Sequence, residues 1–125
     1  MESLLDKYLE NLENGIEDKD LDIEIDAKFR SSSFYTLVEE DEDGSFFVAT
    51  YFTEKDNLEA LYIYTSEEEV PYGLDYMDAQ YEDLKDLLNG SSVNIVIINN
   101  ESHNLYFDVN KLMSKDSVLP LKVLK

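Results

Sequence analysis

The sequence predicts an α+β fold: an antiparallel or mixed β-sheet with an N-terminal helix and a second amphipathic helix packed on it. Three observations predict it. Apolar residues recur at three- and four-residue steps in residues 3–14 and 75–89. Short β-branched and aromatic runs fill most of residues 33–65 and 93–107. Polar turn residues such as Asp41–Gly44, Asn89-Gly90 and Asn99–Asn104 separate those runs.

From Ser3 to Asn14, Leu4, Leu5, Tyr8, Leu9 and Leu12 share one helical face. Ser3 is a natural N-cap, Asp6 suits the first turn, and Asn14-Gly15 stops the helix. Ile16 to Asp20 reads as an exposed connection. Asp20 to Asp26 then alternates acid with apolar, which predicts a strand with Leu21, Ile23 and Ile25 inward. Carboxylates repelling along its other face make it an edge strand.

Ser33 to Glu40 and Ser45 to Thr53 are predicted strands, joined by a hairpin turn over Asp41-Glu42-Asp43-Gly44. Phe46, Val48, Thr50 and Phe52 oppose Phe47, Ala49 and Tyr51, so the second strand is expected to be central and covered on both sides. Ala60 to Thr65 is the next strand. Ser66 and Glu69 have capping-box spacing, predicting a short helical turn that Pro71 and Gly73 end.

Asp75 to Asn89 is the second predicted helix, with Met77, Tyr81, Leu84, Leu87 and Leu88 on one face. Val93 to Ile98 is the most hydrophobic strand and belongs mid-sheet. A polar turn, Asn99 to Asn104, leads to its hairpin partner, Leu105-Tyr106-Phe107. A short helix over Val109 to Met113 follows, then a terminal edge strand over Val118 to Leu124 interrupted at Pro120.

The length of 125 residues fits one domain spanning 1–125. With 43% hydrophobic residues the chain is too apolar for a disordered acidic tail, despite a net charge of −19 from 29 acids and 10 bases. That charge argues against nucleic acid or an anionic membrane as partner, since both need a basic face. Residues 1–70 hold 21 acids and 5 bases, a net −16, so the acid is concentrated in that half. Such a surface steers basic proteins inward, or serves solubility alone. No cysteine is present, which removes disulfides, thiolate catalysis and Cys-based zinc sites. Acids at 2, 6, 10 and 13 break any signal-peptide pattern, so a cytoplasmic location is expected.

Catalytic patterns are weak. The chain's one histidine, His103, follows Ser102, with Asp108 nearby, but no nucleophile elbow accompanies them. His103 reads as a solvated turn histidine. Asp18, Asp20 and Asp22 match the first positions of a calcium loop, but Ile23 and Phe29 replace its glycine and its bidentate glutamate. Asp41-Glu42-Asp43 reads as a solvated hairpin tip. Nine tyrosines and six phenylalanines leave two readings open, tyrosines at the core margin or a tyrosine-rich docking surface.

The chain reads Phe34-Tyr35-Thr36-Leu37-Val38, then Leu61-Tyr62-Ile63-Tyr64-Thr65-Ser66-Glu67-Glu68-Glu69, then a helix from Tyr81 to Leu88. Val93-Asn94-Ile95-Val96-Ile97-Ile98-Asn99 and Leu105-Tyr106-Phe107 complete the series. In that order these pieces resemble the N-terminal domain of the SseB (enhanced serine sensitivity protein B) family. Asn100 departs from the proline common there, and the family continues into a second domain. The resemblance implies an α+β domain without a recognised active site, acting by binding.

The expected function is therefore a non-enzymatic protein-binding module. The alternatives are an acidic bacterial immunity or inhibitor protein that neutralises a basic toxin or nuclease, and a metal-dependent or carboxylate hydrolase. Candidate partner-binding residues are the acids Asp22, Glu24, Asp41, Glu42, Asp43, Glu67 and Glu68 and the tyrosines Tyr62, Tyr64, Tyr72 and Tyr76. No catalytic, metal or cofactor-binding residue is expected. A homodimer would form through an edge, Leu21–Ile25 or Val118–Leu124, and acid on the first favours the second.

Overall fold

A computed structural model describes residues 1–112 and 118–124. Helix α1 (Glu2–Glu13) is capped two residues before the expected Ser3: Met1 takes that position, without a side-chain bond. Leu5 is buried and Leu12 exposed, so the apolar stripe enters the core at its N-terminal end. Tyr8 Oη donates to the Leu121 carbonyl (2.7 Å), tying α1 to the C-terminal segment.

The acid–apolar alternation that follows is a helix, not an edge strand. Helix α2 (Lys19–Ser31) buries Leu21, Ile25 and Phe29, a four-residue spacing that continues past the alternating window. Ile23, expected inward, is exposed. Asp18 caps the helix by accepting the Leu21 N–H (3.0 Å). Asp20 and Asp22 in the first turn and Lys28 and Arg30 in the last match the helix dipole. Leu21–Ile25 therefore offers no sheet edge.

The sheet is mixed. It comprises β1 (Ser33–Glu40), β2 (Phe46–Val48), β3 (Thr50–Phe52), β4 (Glu59–Tyr64), β5 (Tyr76–Gln80), β6 (Ile95–Ile98), β7 (Leu105–Asp108) and β8 (Lys122–Val123). The main path runs β2-β1-β4-β6-β7-β8, with β3 on β4 and β5 on β1. Only β4–β6 is parallel; the other pairs are antiparallel. As expected, β6 lies mid-sheet and pairs with β7 through the Asn99–Asn104 turn.

Strands β1 and β3 lie end to end along the same side of β4. Tyr35 and Thr36 face Tyr64 and Ile63, and Thr50 to Phe52 face Leu61 to Glu59. Between these segments the chain leaves as a hairpin, Val38 to Val48, closed at its base by the Ala49 N–H to the Leu37 carbonyl (3.0 Å). The expected turn forms at its tip, with Gly44 at φ +86°. The run from Ser45 to Thr53 is thus not one covered central strand. It breaks at Ala49: Phe46 and Phe47 are exposed on the return strand of the arm, and Phe52 is exposed at the end of β3.

The predicted helix from Asp75 divides. Residues 76–80 form β5, paired along its whole length with Ser33 to Leu37, and only α3 (Tyr81–Leu88) is helical. Met77 at helical spacing from Tyr81 made the window read as one helix; strand pairing wins upstream of Gln80. The capping bond at this boundary runs from the Gln80 N–H to Asp83 (2.9 Å). Glu67–Glu69 is a 3-10 turn without the expected capping box: the Glu69 N–H donates to the Ser66 carbonyl (3.2 Å), and the Glu69 carboxylate accepts from Ser102 (2.6 Å).

Helix α4 (Val109–Leu112) forms where expected; Met113 at its expected end lies outside the described residues. The terminal strand shrinks to β8, an edge on β7. Leu5, Leu21, Phe29, Leu84, Leu88 and Leu112 pack with Phe34, Ile63, Val96 and Phe107, so the α-helices gather on one side of the sheet. Among the described residues no helix is long and apolar enough to cross a membrane.

Replacing Asp18 with alanine removes the α2 cap and should lower stability by about 1 kcal/mol. Ser3→Ala, where no capping bond exists, should shift the urea midpoint far less. Equal shifts for the two variants, at unchanged slope, would contradict this assignment of the caps.

Candidate binding face

Strand alternation sorts the chain's aromatics onto two sides. In β4, Leu61 and Ile63 turn to the helices while Ala60, Tyr62 and Tyr64 turn away. Ile95 and Ile97 of β6 and Tyr106 of β7 share that second side. Tyr35 of β1, opposite Tyr64, and Tyr51 of β3, opposite Ala60, join them, as does Tyr76 opposite Leu37. Among the described residues no α-helix packs on this side. Its small buried clusters are closed by strand residues with Ala49, Leu58, Val70 and Leu124.

The result is a sheet face paved with tyrosine. Tyr35 and Tyr76 meet edge to face at 5.5 Å and 87°. Tyr51 and Tyr62 meet at 5.6 Å and 60°, and Tyr51 Oη donates to Glu39 (2.9 Å). Tyr64 is buried beneath them and donates to Asn100 (2.8 Å). A groove of about 500 Å³ opens beside Tyr62 and Tyr106, walled by Phe52, Leu58 and Leu124.

Carboxylates rim the face unevenly. Burial raises the Tyr35 phenol, and Glu67 and Asp78 add to the shift, which places their charge near its ring. At the opposite end Lys122 pairs with Asp108 (3.5 Å) and lies over Tyr106, and Lys55 borders the groove. The β5 end is therefore acidic, while the β8 end mixes Lys55 and Lys122 with Glu54, Asp56 and Asp108.

The expected site residues are only partly together. Tyr62 and Tyr76 lie on the face, and Glu67 and Glu68 lie at its edge. Tyr64 is on the same side but 1% exposed, core rather than contact. Tyr72 is fully exposed in the loop before β5. Asp41, Glu42 and Asp43 occupy the tip of the arm, where Ser45 bonds hold Asp43 below the usual carboxylate range. Asp22 and Glu24 are on α2, across the sheet, so the acids form no single patch. Asp22 lines a cleft of about 400 Å³ with Tyr8 and Leu121, and partial burial and then Asp18 and Glu17 raise its carboxyl.

Sequence reasoning missed Tyr35, Tyr51 and Tyr106, and Glu39 and Asp78 beside them. Period-two alternation within each strand was the signal for the first three. Asp78 was hidden by the helical reading of its segment.

His103 is not a solvated turn residue. It is 6% exposed and locks the β6–β7 turn to α1. Asn99 Oδ1 accepts the Thr65 N–H (3.0 Å), so its amide nitrogen donates to Thr65 Oγ1 and to His103 Nδ1 (2.9 Å each). The ring proton then sits on Nε2, aimed at Asp6 Oδ1 (2.7 Å). Ser102 Oγ stands 3.2 Å from Nδ1, but its hydrogen goes to Glu69, and Asp108 pairs with Lys122 instead. The constellation works as a structural lock. Among the described residues no group of three or more His, Asp or Glu is placed to hold a metal ion.

No family model matches this chain, and neither the curated proteins nor the solved structures compared with it give a match.

Burial raises the phenols of Tyr8, Tyr35, Tyr51 and Tyr64 above their ordinary 10.0. Above that pH the unfolded chain binds fewer protons than the folded one, so stability must fall as pH rises through the raised values. The urea midpoint should decline steadily beyond about pH 10, and Tyr64→Phe should flatten the decline. A midpoint level to pH 11.5 or so would contradict this reading of the four phenols.

Proposed function

We propose that the chain is a cytoplasmic, non-enzymatic protein-binding module that seats a basic partner on the tyrosine face. The observation that carries this is a sheet side bearing Tyr35, Tyr51, Tyr62, Tyr76 and Tyr106 with no α-helix over it among the described residues. Tyrosine gives large amphipathic contact area at little entropic cost, and acids around it draw in and orient a cationic surface. Arginine suits such a surface best, since its guanidinium stacks on tyrosine and pairs with carboxylate. The resemblance to the SseB N-terminal domain agrees with a binding role.

A narrower reading makes the partner a basic toxin or nuclease whose nucleic-acid site the acids occupy. The projecting arm favours it, with Asp41, Glu42 and Asp43 at its tip and exposed Phe46 and Phe47 on its return strand. That version requires affinity to fall steeply with salt.

The test uses the full chain as bait, beside a Tyr62→Ala/Tyr76→Ala variant and an Asp22→Asn/Glu24→Gln variant. The partner should be lost from the tyrosine variant, kept by the helix variant, and released by about 0.5 M salt. Loss from the helix variant alone would place binding across the sheet and sink the proposal.

A further inference from the structure

Among the described residues the outer edge of β5 is unpaired, and its phase can be read from its inner edge. The Val38 N–H donates to the Asp75 carbonyl (3.0 Å), and the register continues from Leu37 opposite Tyr76 to Ser33 opposite Gln80. Hydrogen-bonded pairs alternate in an antiparallel ladder. Met77 and Ala79 therefore turn their peptide groups to β1, and Tyr76 and Asp78 turn theirs outward. Among the described residues no other strand pairs with β5. Gln80's N–H is already taken by Asp83, so the open stretch runs from Tyr76 to Asp78. The side chains of those two residues lie on the tyrosine side, Tyr76 against Tyr35. A strand added here would lengthen the tyrosine face by one row.

Charge selects the occupant. Between Ser66 and Leu84 the chain has seven carboxylates and no lysine or arginine. A second copy, itself at −19, would bring Asp75 and Asp78 of both chains together, and like charges across a strand pair oppose pairing. A lysine- or arginine-bearing strand meets the opposite situation. We propose that β5 receives an extended segment of the basic partner as an added strand. Its backbone would pair with Tyr76 and Asp78, its apolar side chains would pack on Tyr76, and its cations would reach Asp78 and Glu67. This rests on the tyrosine face being a binding surface and adds how the partner is held.

The probe is a blocked heptapeptide with threonine at its odd positions and lysine, valine and lysine at positions 2, 4 and 6, which puts valine and lysine on one face of the strand; it is added to the isotope-labelled 125-residue protein at about 20 mM salt. Amide exchange at Tyr76 and Asp78 should slow at least about tenfold on saturation, while Met77, already in the ladder, changes little. Asp78→Pro deletes one outward N–H on an edge that tolerates proline, and should weaken binding about tenfold beyond the effect of Asp78→Asn. Should the proline variant misfold, N-methylation of alternate peptide residues tests the same bonds with the protein unchanged, and should abolish binding.

Three results would overturn the proposal: no binding, binding with free exchange at Tyr76 and Asp78, or protection of both by a protein dimer without peptide. The two readings fail separately. Binding lost in Tyr62→Ala with the edge amides unprotected keeps the face and rejects strand addition. Edge protection unaffected by Tyr62→Ala keeps strand addition and rejects the face.

Discussion

Strand β4 is where the sheet is decided, because it has neighbours along both sides and two different ones along one of them. Its first half is held by β3, its second half by β1, and its other side by β6 in parallel. Every residue from Ala60 to Tyr64 therefore has a fixed facing. Leu61 and Ile63 anchor the helix layer, and Ala60 is fully buried on the other side, packed with Ile95 and Ile97. Tyr62 and Tyr64 carry the other side. A one-residue slip would drive tyrosines under the helices and leucine into water, and the register on both neighbours opposes it. The tyrosine face is the second product of the alternation that builds the core.

The turn after β6 depends on β4 as well. Asn99 sits at φ +50°, a conformation asparagine tolerates better than most residues, and is fully buried. From there its amide reads the Thr65 backbone at the end of β4, and its other arm passes to His103 and so to Asp6 of α1. One side chain thus connects the central strand, the β6–β7 turn and the first helix. The chain's one histidine is spent on architecture, which explains why its neighbours make no catalytic arrangement.

How much of this could be read beforehand depended on whether a local pattern had one interpretation. Val93–Ile98 and Leu105–Phe107 were legible because an apolar run, a polar turn and a second run admit little but a hairpin. Leu21-Asp22-Ile23-Glu24-Ile25 was not, because a period of two and a period of four coincide over five residues. Only Phe29, two turns beyond Leu21, breaks the tie. At Met77 the ambiguity ran the other way, since a residue four before Tyr81 continues a helical stripe on paper. Pairing with Ser33–Leu37, far upstream in the chain, decides it, and no local window contains that information. The tyrosine surface was half visible. Abundance announced it, but which tyrosines face outward follows from register, which put Tyr64 inside and brought in Tyr35 and Tyr106. The acidic half of the chain was legible as a total and illegible as a patch, because α2 carries part of it to the far side of the sheet.

The arm from Val38 to Val48 joins the sheet near its base, where Leu37 and Ala49 bond, the Val38 N–H reaches Asp75, Tyr51 reaches Glu39 and Val48 packs on the core. The ladder on β4 is thus indifferent to how many residues lie beyond that closure. Natural variation in the length and tip of this hairpin should be cheap, and the same position is a ready site for grafting a foreign loop or reporter. A scaffold of this kind can change what it touches at the arm while the tyrosine pavement and the helix layer stay as they are.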